Sequence, residues 1–259
     1  MVKICGLTRA DDVLLACELG AWAVGFIFAP SPRRLTLAVA RALVQEVRAT
    51  GVARSPGISA AAPLAAAVAG PLAIGVFGDA SAAEVARVVE EVGLDGVQLH
   101  SVNGPGGRAV RAALGRWSSL LVIQTLPVAP EVAGGPEQST VGVLRESIAR
   151  AREEADVVLL DTQAGGGLGG SGMTFPWALA RESADGGALL IAGGIGPGNV
   201  EAALWESGAW GVDVSSGVEA SPGVKDGRLL RQLLQTVHAT DHTWVWPSAG
   251  GPSGTGANL

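Results

Sequence analysis

The chain has 259 residues, of which 48% are hydrophobic and 38 are glycine, and its formal net charge is −6. This length suits one large α/β domain or two small ones, and an acidic chain with scattered basic residues is not typical of a nucleic-acid-binding protein. Neither an apolar run of about 18 residues nor a secretory leader is visible, so we expect a cytoplasmic protein outside the membrane. Cys5 and Cys17 are then expected to be free thiols.

Short apolar runs and helix-forming segments alternate along the chain, and glycine, proline or capping residues mark most of their boundaries. The predicted strands are 2–6, 22–28, 72–77, 96–100, 120–124, 157–160, 188–192 and 211–214. A helix is predicted after each strand, at about 10–19, 36–48, 81–92, 105–114, 140–154, 174–182, from 197 onward, and at 225–238.

Eight strand–helix units in about 250 residues are the pattern of a TIM (β/α)8 barrel. A doubly wound open sheet is the alternative. We favour the barrel because the strands that end in polar residues or glycine do so at their carboxyl ends. One barrel domain is therefore predicted over residues 1–240. Residues 50–70 are expected to form an irregular insertion, and residues 241–259 a disordered tail rich in Gly, Ser and Pro.

The carboxyl ends of the predicted strands carry most of the candidate chemical groups. In a barrel these ends share one rim, and catalytic residues are placed there. The groups expected on that rim are Cys5, Arg33, His100, Asp161, Gly193, Gly194, Ser215 and Ser216. The Gly-Gly and Ser-Ser-Gly loops are typical of a phosphate site built from backbone N–H groups, although tight turns alone would also explain them. Asp161 is a candidate proton donor or, alternatively, a turn cap or the partner of an arginine.

The glycine-rich loop after Asp161 partly matches two nucleotide-binding motifs. Gly165, Gly167 and Gly170 fit the dinucleotide pattern, but the acidic residue that should end the next strand is missing. The same loop nearly spells a P-loop, but Met173 stands where the phosphate-binding lysine must be. Nucleotide binding is therefore disfavoured, and the sequence shows no metal-ligand cluster.

Eight stretches follow one another along the chain, namely KICGLT, GFIFAPSPR, VGVF, GVQLH, LLDT, GGSGMTF, IAGGIGPGNV and VDVSSGVEASPGVKD. They occur in the order in which the phosphoribosylanthranilate isomerase family of tryptophan biosynthesis has them, and the chain resembles that family from residue 2 to about 234. KICG and VDVSSGVE are the distinctive ones. The chain departs from the family pattern at Ser101, where glycine is usual, at Pro176, where F-D-W is usual, and in its longer segment at 50–70.

The resemblance implies a TIM barrel that converts N-(5-phosphoribosyl)anthranilate into 1-(2-carboxyphenylamino)-1-deoxyribulose 5-phosphate by an Amadori rearrangement, without a cofactor or a metal. It implies that Cys5 is the general base, that Asp161 is the general acid and that Arg33 anchors the anthranilate carboxylate. The expected substrate-binding residues are Arg33, His100, Gly193, Gly194, Asp213, Ser215 and Ser216. The expected partner is a small phosphorylated molecule, and the protein is expected to be a monomer or a homodimer.

The roles of two residues near this site stay open from the sequence. Lys3 shares a strand face with Cys5, so it could help the thiol to ionise. We favour an ion pair between Lys3 and Asp213 on the last strand. His100 could contact the substrate or be a hydrogen-bonded structural histidine.

Two other functions are weighed against the isomerase. A non-catalytic phosphosugar-binding barrel is disfavoured, because Cys5, Asp161 and Arg33 are present together. A Schiff-base aldolase needs a reactive lysine, and the chain contains only Lys3 and Lys225.

Overall fold

A computed structural model of the chain describes residues 1–51, 71–100, 104–115, 120–130, 138–162 and 174–241. In this part of the chain, eight parallel strands close into a barrel in sequence order. They are β1 (Val2–Ile4), β2 (Ala23–Ile27), β3 (Leu72–Phe77), β4 (Gly96–Leu99), β5 (Leu121–Val128), β6 (Val157–Thr162), β7 (Leu189–Ala192) and β8 (Gly211–Val214). Because β1 pairs with β8, with Lys3 opposite Asp213, the predicted TIM barrel is confirmed and the open sheet is wrong.

A helix follows each strand, and local sequence explains where several of them begin. The helices are α1 (Ala10–Glu18), α2 (Leu37–Ala49), α3 (Ala82–Val92), α4 (Gly107–Leu114), α5 (Gln138–Arg152), α6 (Trp177–Ser183), α7 (Val200–Ser207) and α8 (Gly227–Asp241). Ser81 and Glu84 form a capping box at the start of α3, which satisfies two backbone N–H groups that no helical carbonyl can reach. None of these helices is long and apolar enough to cross a membrane.

Side chains inside the barrel change from apolar to polar toward the carboxyl ends of the strands. The lower interior is an apolar cluster that includes Ile74, Ile123, Leu159 and Leu190. On β1 and β8, the inward-facing Lys3 and Asp213 are both buried. A second apolar cluster packs the outer faces of the strands against the helices. The polar side chains that can take part in a reaction therefore lie toward the carboxyl ends of the strands.

The bounds of β3 and β8 agree with the prediction, whereas other elements differ. β5 runs on through Pro127 to Val128, so the predicted strand end at residue 124 is too early. A hairpin of β9 (Glu219–Ser221) and β10 (Val224–Lys225) after β8 was not predicted. The predicted insertion at 50–70 (apart from residues 50 and 51), the glycine-rich loop at 163–173 and the tail at 242–259 lie outside the described residues.

Candidate active site

One cavity opens at the carboxyl ends of the barrel strands and collects all the predicted site residues except Arg33. Its lining includes Cys5, His100, Asp161, Gly193, Gly194, Asp213, Ser215 and Ser216, together with Gln98. These residues follow or end β1, β4, β6, β7 and β8, so closure of the barrel brings together positions up to about two hundred residues apart in sequence.

The Cys5 thiol lies at the end of β1, directly above the buried ion pair that we predicted. Lys3 Nζ donates to Asp213 Oδ2 at 2.8 Å, and Lys3 is fully buried. A Cβ atom on Gly25 of β2 would lie 2.9 Å from Cys5 Sγ and 3.1 Å from Lys3 Nζ. The missing side chain of Gly25 therefore makes the room in which the thiol and the ammonium group meet.

Burial and charge act in opposite directions on these groups. Burial raises the pKa of the Cys5 thiol, and the Lys3 ammonium group opposes that rise. Burial alone would lower the pKa of Lys3, but the neighbouring Asp213 carboxylate raises it above its ordinary value. Lys3 is thus the ion-pair partner of Asp213 and also a cation beside Cys5. The two interpretations that the sequence left open for Lys3, an ion pair with Asp213 and a cation near the thiol, are therefore compatible.

Asp161 ends inside the cavity, and its carboxylate contacts a histidine. His100 Nε2 lies 3.1 Å from Asp161 Oδ2, and both side chains are partly exposed to the cavity. Asp161 therefore neither caps a turn nor pairs with an arginine among the described residues. The contact gives His100 a hydrogen-bonded place at the rim, so the two predicted alternatives for His100 are compatible.

The loop after β7, at the edge of the cavity, has a backbone shape that favours glycine. Gly193 and Gly194 have φ values of 91° and 64°, and a side chain on Gly193 would collide with Thr162. Asn199 donates from Nδ2 to the Gly194 carbonyl at 3.0 Å and accepts from Gly196 N at 2.8 Å. Its side chain therefore fixes the shape of the Gly-Gly loop.

Three buried polar atoms along the cavity have no hydrogen-bonding partner in the described part of the chain. They are Gln98 Oε1, Asp213 Oδ1 and Ser215 Oγ. A buried polar atom without a partner costs about 1–3 kcal/mol. Their convergence on one cavity indicates a ligand that carries several polar groups.

Arg33 lies beside the cavity rather than in its lining, and a carboxylate holds it. Its Nε and Nη2 atoms donate to the two oxygens of Glu219 at 2.8 and 2.6 Å. Burial would raise the pKa of Glu219, but the hydrogen bonds from Arg33 and Lys225 lower it. A Cβ atom on Gly6 would lie 2.5 Å from Arg33 Cδ and 3.0 Å from Ser215 Oγ, so the arginine stem passes close to the cavity wall.

Sequence reasoning missed three residues that support this site, namely Asn199, Glu219 and Lys225. The preference of asparagine for a helix N-cap could have pointed to Asn199, which is the N-cap residue of α7. Glu219 and Lys225 gave no such signal, because the residues that tie them to the site, Arg33 and Cys5, are 186 and 220 positions away in the sequence. Among the described residues, no group of three or more His, Cys, Asp or Glu residues could hold a metal.

Comparison with known proteins agrees with this geometry. A family model described as N-(5'phosphoribosyl)anthranilate (PRA) isomerase matches residues 60–236. The N-(5'-phosphoribosyl)anthranilate isomerase of Rubrobacter xylanophilus is 38% identical over 234 residues, which cover 90% of this chain and 96% of that protein.

Solved structures show the same likeness in three dimensions. One contains monomers generated from the dimeric phosphoribosylanthranilate isomerase of Thermotoga maritima, at 28% identity and a TM-score of 0.66, and covers 92% of this chain and 98% of that one. Another is a phosphoribosylanthranilate isomerase in complex with reduced 1-(o-carboxyphenylamino)-1-deoxyribulose 5-phosphate, at 28% identity, a TM-score of 0.65 and the same coverage. The chain belongs to the N-(5'-phosphoribosyl)anthranilate isomerase family.

Proposed function

We propose that this chain catalyses the Amadori rearrangement of N-(5-phosphoribosyl)anthranilate to 1-(2-carboxyphenylamino)-1-deoxyribulose 5-phosphate. The observation that carries the proposal is the meeting of Cys5 and Asp161 in one cavity with the Gly193-Gly194 and Ser215-Ser216 loops. A thiol and a carboxyl group can supply a base and an acid, and the loops suit a phosphate group.

In the first step, Asp161 gives a proton to the ring oxygen of the ribosylamine. The bond between that oxygen and C1 breaks, and its electron pair stays on the oxygen, which becomes the 4-hydroxyl group. The lone pair of the anthranilate nitrogen forms a double bond to C1, giving a protonated imine. The contact of Asp161 Oδ2 with His100 supports this role, because it holds the acid while the other carboxyl oxygen stays available to the substrate.

In the second step, the Cys5 thiolate removes the proton from C2. The electron pair of the C2–H bond forms a C1–C2 double bond, and the electrons of the imine return to nitrogen. The resulting enolamine becomes the ketone when C1 takes up a proton from Cys5 and the 2-hydroxyl returns its proton to Asp161. The atoms of the substrate are conserved, so no oxidant or reductant is required.

The remaining polar groups of the cavity suit the rest of the substrate. The Gly193-Gly194 and Ser215-Ser216 loops bind the phosphate group in this proposal. The free Oδ1 atom of Asp213 suits a sugar hydroxyl group, and Arg33 binds the aromatic carboxylate from beside the cavity. The Lys3 ammonium group favours ionisation of Cys5, as the second step requires.

The structure disfavours the aldolase alternative. A Schiff-base lysine must be free to lose its proton and attack a carbonyl group. Lys3 is held by Asp213. Lys225 Nζ is held by the Cys5 carbonyl, the Ser215 carbonyl and Glu219 at 2.7, 3.0 and 2.9 Å. Both lysines of the chain therefore have structural partners.

The proposal extends to the setting of the enzyme. We expect a cytoplasmic protein that acts on a small phosphorylated molecule as a monomer or a homodimer. The dimeric relative supports the second state. Sedimentation equilibrium of the purified chain would give its mass in solution.

Turnover measured with the purified chain tests the proposed function. The fluorescence of N-(5-phosphoribosyl)anthranilate should fall as product forms. Cys5→Ala and Asp161→Asn should each lower kcat by at least about 10²-fold, the lower end of a general acid or base contribution, while far-ultraviolet circular dichroism stays unchanged. A wild-type chain that binds the reduced product analogue without turning over the substrate would instead be a phosphosugar-binding barrel.

A further inference from the structure

Glu219 holds Arg33 in one orientation through a two-point contact. Both side chains are almost fully buried, with 7% of Arg33 and 5% of Glu219 exposed. Glu219 engages the side edge of the guanidinium group, which Nε and Nη2 form. A paired contact of this kind fixes direction as well as distance, because the guanidinium group is planar and rigid.

The contact leaves a second edge of the same guanidinium group open. A guanidinium group carries five N–H donors, and the end edge formed by Nη1 and Nη2 can bind another carboxylate in the same plane. In the part of the chain that the structure describes, no acceptor contacts Nη1. A Cβ atom on Gly6 would lie 3.4 Å from Arg33 Nε and 3.0 Å from Ser215 Oγ, and Ser215 lines the cavity, so the guanidinium group lies beside the cavity wall.

A third group ties this pair to the catalytic strand. Glu219 Oε1 also accepts from Lys225 Nζ at 2.9 Å, and the same ammonium group donates to the carbonyl oxygen of Cys5 at 2.7 Å. The hairpin that carries Glu219 and Lys225 is itself anchored, because Lys225 N donates to Asp12 of α1 at 3.0 Å. Arg33 is thereby held in a fixed relation to Cys5.

Lys225 has no donor left for a further anion. Its ammonium group already donates to the Cys5 carbonyl, the Ser215 carbonyl and Glu219, and an ammonium group has three donors. The open edge of Arg33 is therefore the place in this cluster where a further carboxylate can bind.

We infer that Glu219 is a positioning residue for substrate recognition. Glu219 turns the open edge of Arg33 toward the aromatic carboxylate of the substrate, and through Lys225 it links Arg33 to the strand that ends at Cys5. The inference rests on the proposed function, because it takes the aromatic carboxylate as the partner of Arg33. It gives a role to Glu219, which ends the VDVSSGVE stretch and had no predicted role. The resulting specificity is for aminoaldoses that carry an acidic group on the aromatic ring.

The test is a double-mutant cycle with Glu219→Gln and Arg33→Ala. Each single change should raise KM by about tenfold, the lower end for loss of a hydrogen bond to a charged group, with a smaller effect on kcat. In the Arg33→Ala background, Glu219→Gln should change kcat/KM by less than threefold, because the group that it positions is gone. Losses that multiply would show that Glu219 supports only the fold, and would overturn the inference.

Two further variants control for charge and for loss of an ion pair. Arg34→Ala removes the adjacent exposed arginine and should leave KM within twofold of wild type. Asp185→Asn removes the carboxylate that Arg152 contacts through Nε at 2.8 and 2.6 Å, away from the cavity, and should also leave KM unchanged. An equal rise of KM in Asp185→Asn would mean that any lost ion pair has this effect, which contradicts a positioning role.

A variant that keeps the charge covers a failure of Glu219→Gln to fold. Glu219→Asp shortens the side chain by one methylene group and should raise KM less than Glu219→Gln does. The dissociation constant of the reduced product analogue, measured by calorimetry, tests the positioning role of Glu219 independently of the proposed catalytic function. Weaker binding in Glu219→Asp supports the inference even if the wild type lacks turnover, whereas wild-type binding in that variant overturns it.

Discussion

His100 Nε2 lies 3.1 Å from Asp161 Oδ2, although β5 separates the strands that carry the two residues. The contact is possible because both strands direct a residue inward at the same rim. It holds one oxygen of the proposed acid, and the side chain of that acid lines the cavity. We therefore propose that His100, which lines the cavity, also positions Asp161.

Replacing His100 tests this relationship. His100→Ala should lower kcat by about 3- to 10-fold, the range for one net hydrogen bond, with a smaller change in KM. His100→Gln, which can restore a hydrogen bond, should recover part of the loss. In an Asp161→Asn background, His100→Ala should have little further effect. A full additional loss there would mean that His100 acts independently of Asp161.

The barrel and most of the residues at its rim could be predicted from the sequence, because local patterns determine where each strand ends. β8, for example, reads Gly-Val-Asp-Val and is followed by Ser215, and its predicted bounds are those of the structure. α6 begins at Trp177 instead of residue 174, because Pro176 is the N-cap residue and proline disfavours helical geometry at the residue before it.

Contacts between distant segments could not be predicted in the same way. Glu219 lies in a strand of only three residues, too short to show an alternating pattern. Its partner Arg33 is 186 positions away in the sequence. The resemblance identified Arg33 through the S-P-R stretch, but no local property of the chain indicates which acid would hold its guanidinium group.

The dependence of activity on pH should show the raised pKa of Cys5. The thiolate is the proposed base, so kcat/KM should rise with pH as the thiol ionises. Burial places that rise above the ordinary range for a thiol, and the neighbouring Lys3 limits the shift. In Lys3→Met the rise should move to still higher pH, because the opposing cation is gone. A rise at unchanged pH in that variant would show that Lys3 does not influence the base.

Gly25→Ala tests the space that Cys5 and Lys3 share. The new methyl group would lie 2.9 Å from Cys5 Sγ and 3.1 Å from the Cys5 Cα atom, so the thiol must move. A displacement of about 1 Å at a reacting group can cost about 10²-fold in rate, and we expect a loss of that order in kcat. Overpacking should also lower the free energy of unfolding by about 1–3 kcal/mol.

Gly142→Ala on α5 is the matched control for this change. Apart from its neighbours in the same helix, no atom of the described residues lies within 4 Å of the position where its Cβ would be, and alanine favours a helix by about 1 kcal/mol over glycine. This variant should keep wild-type kcat and gain slightly in stability. Wild-type kcat in Gly25→Ala as well would show that the site tolerates the methyl group and that the thiol need not occupy its present position.

The Lys3–Asp213 pair should stabilise the fold only while both partners are present. Asp213→Leu leaves a buried ammonium group without its counter-charge, and Lys3→Met leaves a buried carboxylate. Each should lower the free energy of unfolding by about 3–5 kcal/mol. The double variant should recover most of that loss, because two apolar side chains of similar volume need no charge partner. Denaturant unfolding followed by circular dichroism measures all four proteins.

The pH dependence of unfolding gives the same pair an independent signature. The folded-state pKa of Lys3 is raised because the Asp213 carboxylate outweighs the effect of burial. The contribution of Lys3 is therefore fully present below the ordinary pKa of lysine and is lost as pH rises through the raised value. The wild type should lose stability on the alkaline side more steeply than the Lys3→Met/Asp213→Leu double variant. Alkaline stability curves that run parallel for the two proteins would contradict this prediction. A double variant no more stable than either single variant would also contradict a stabilising ion pair between Lys3 and Asp213.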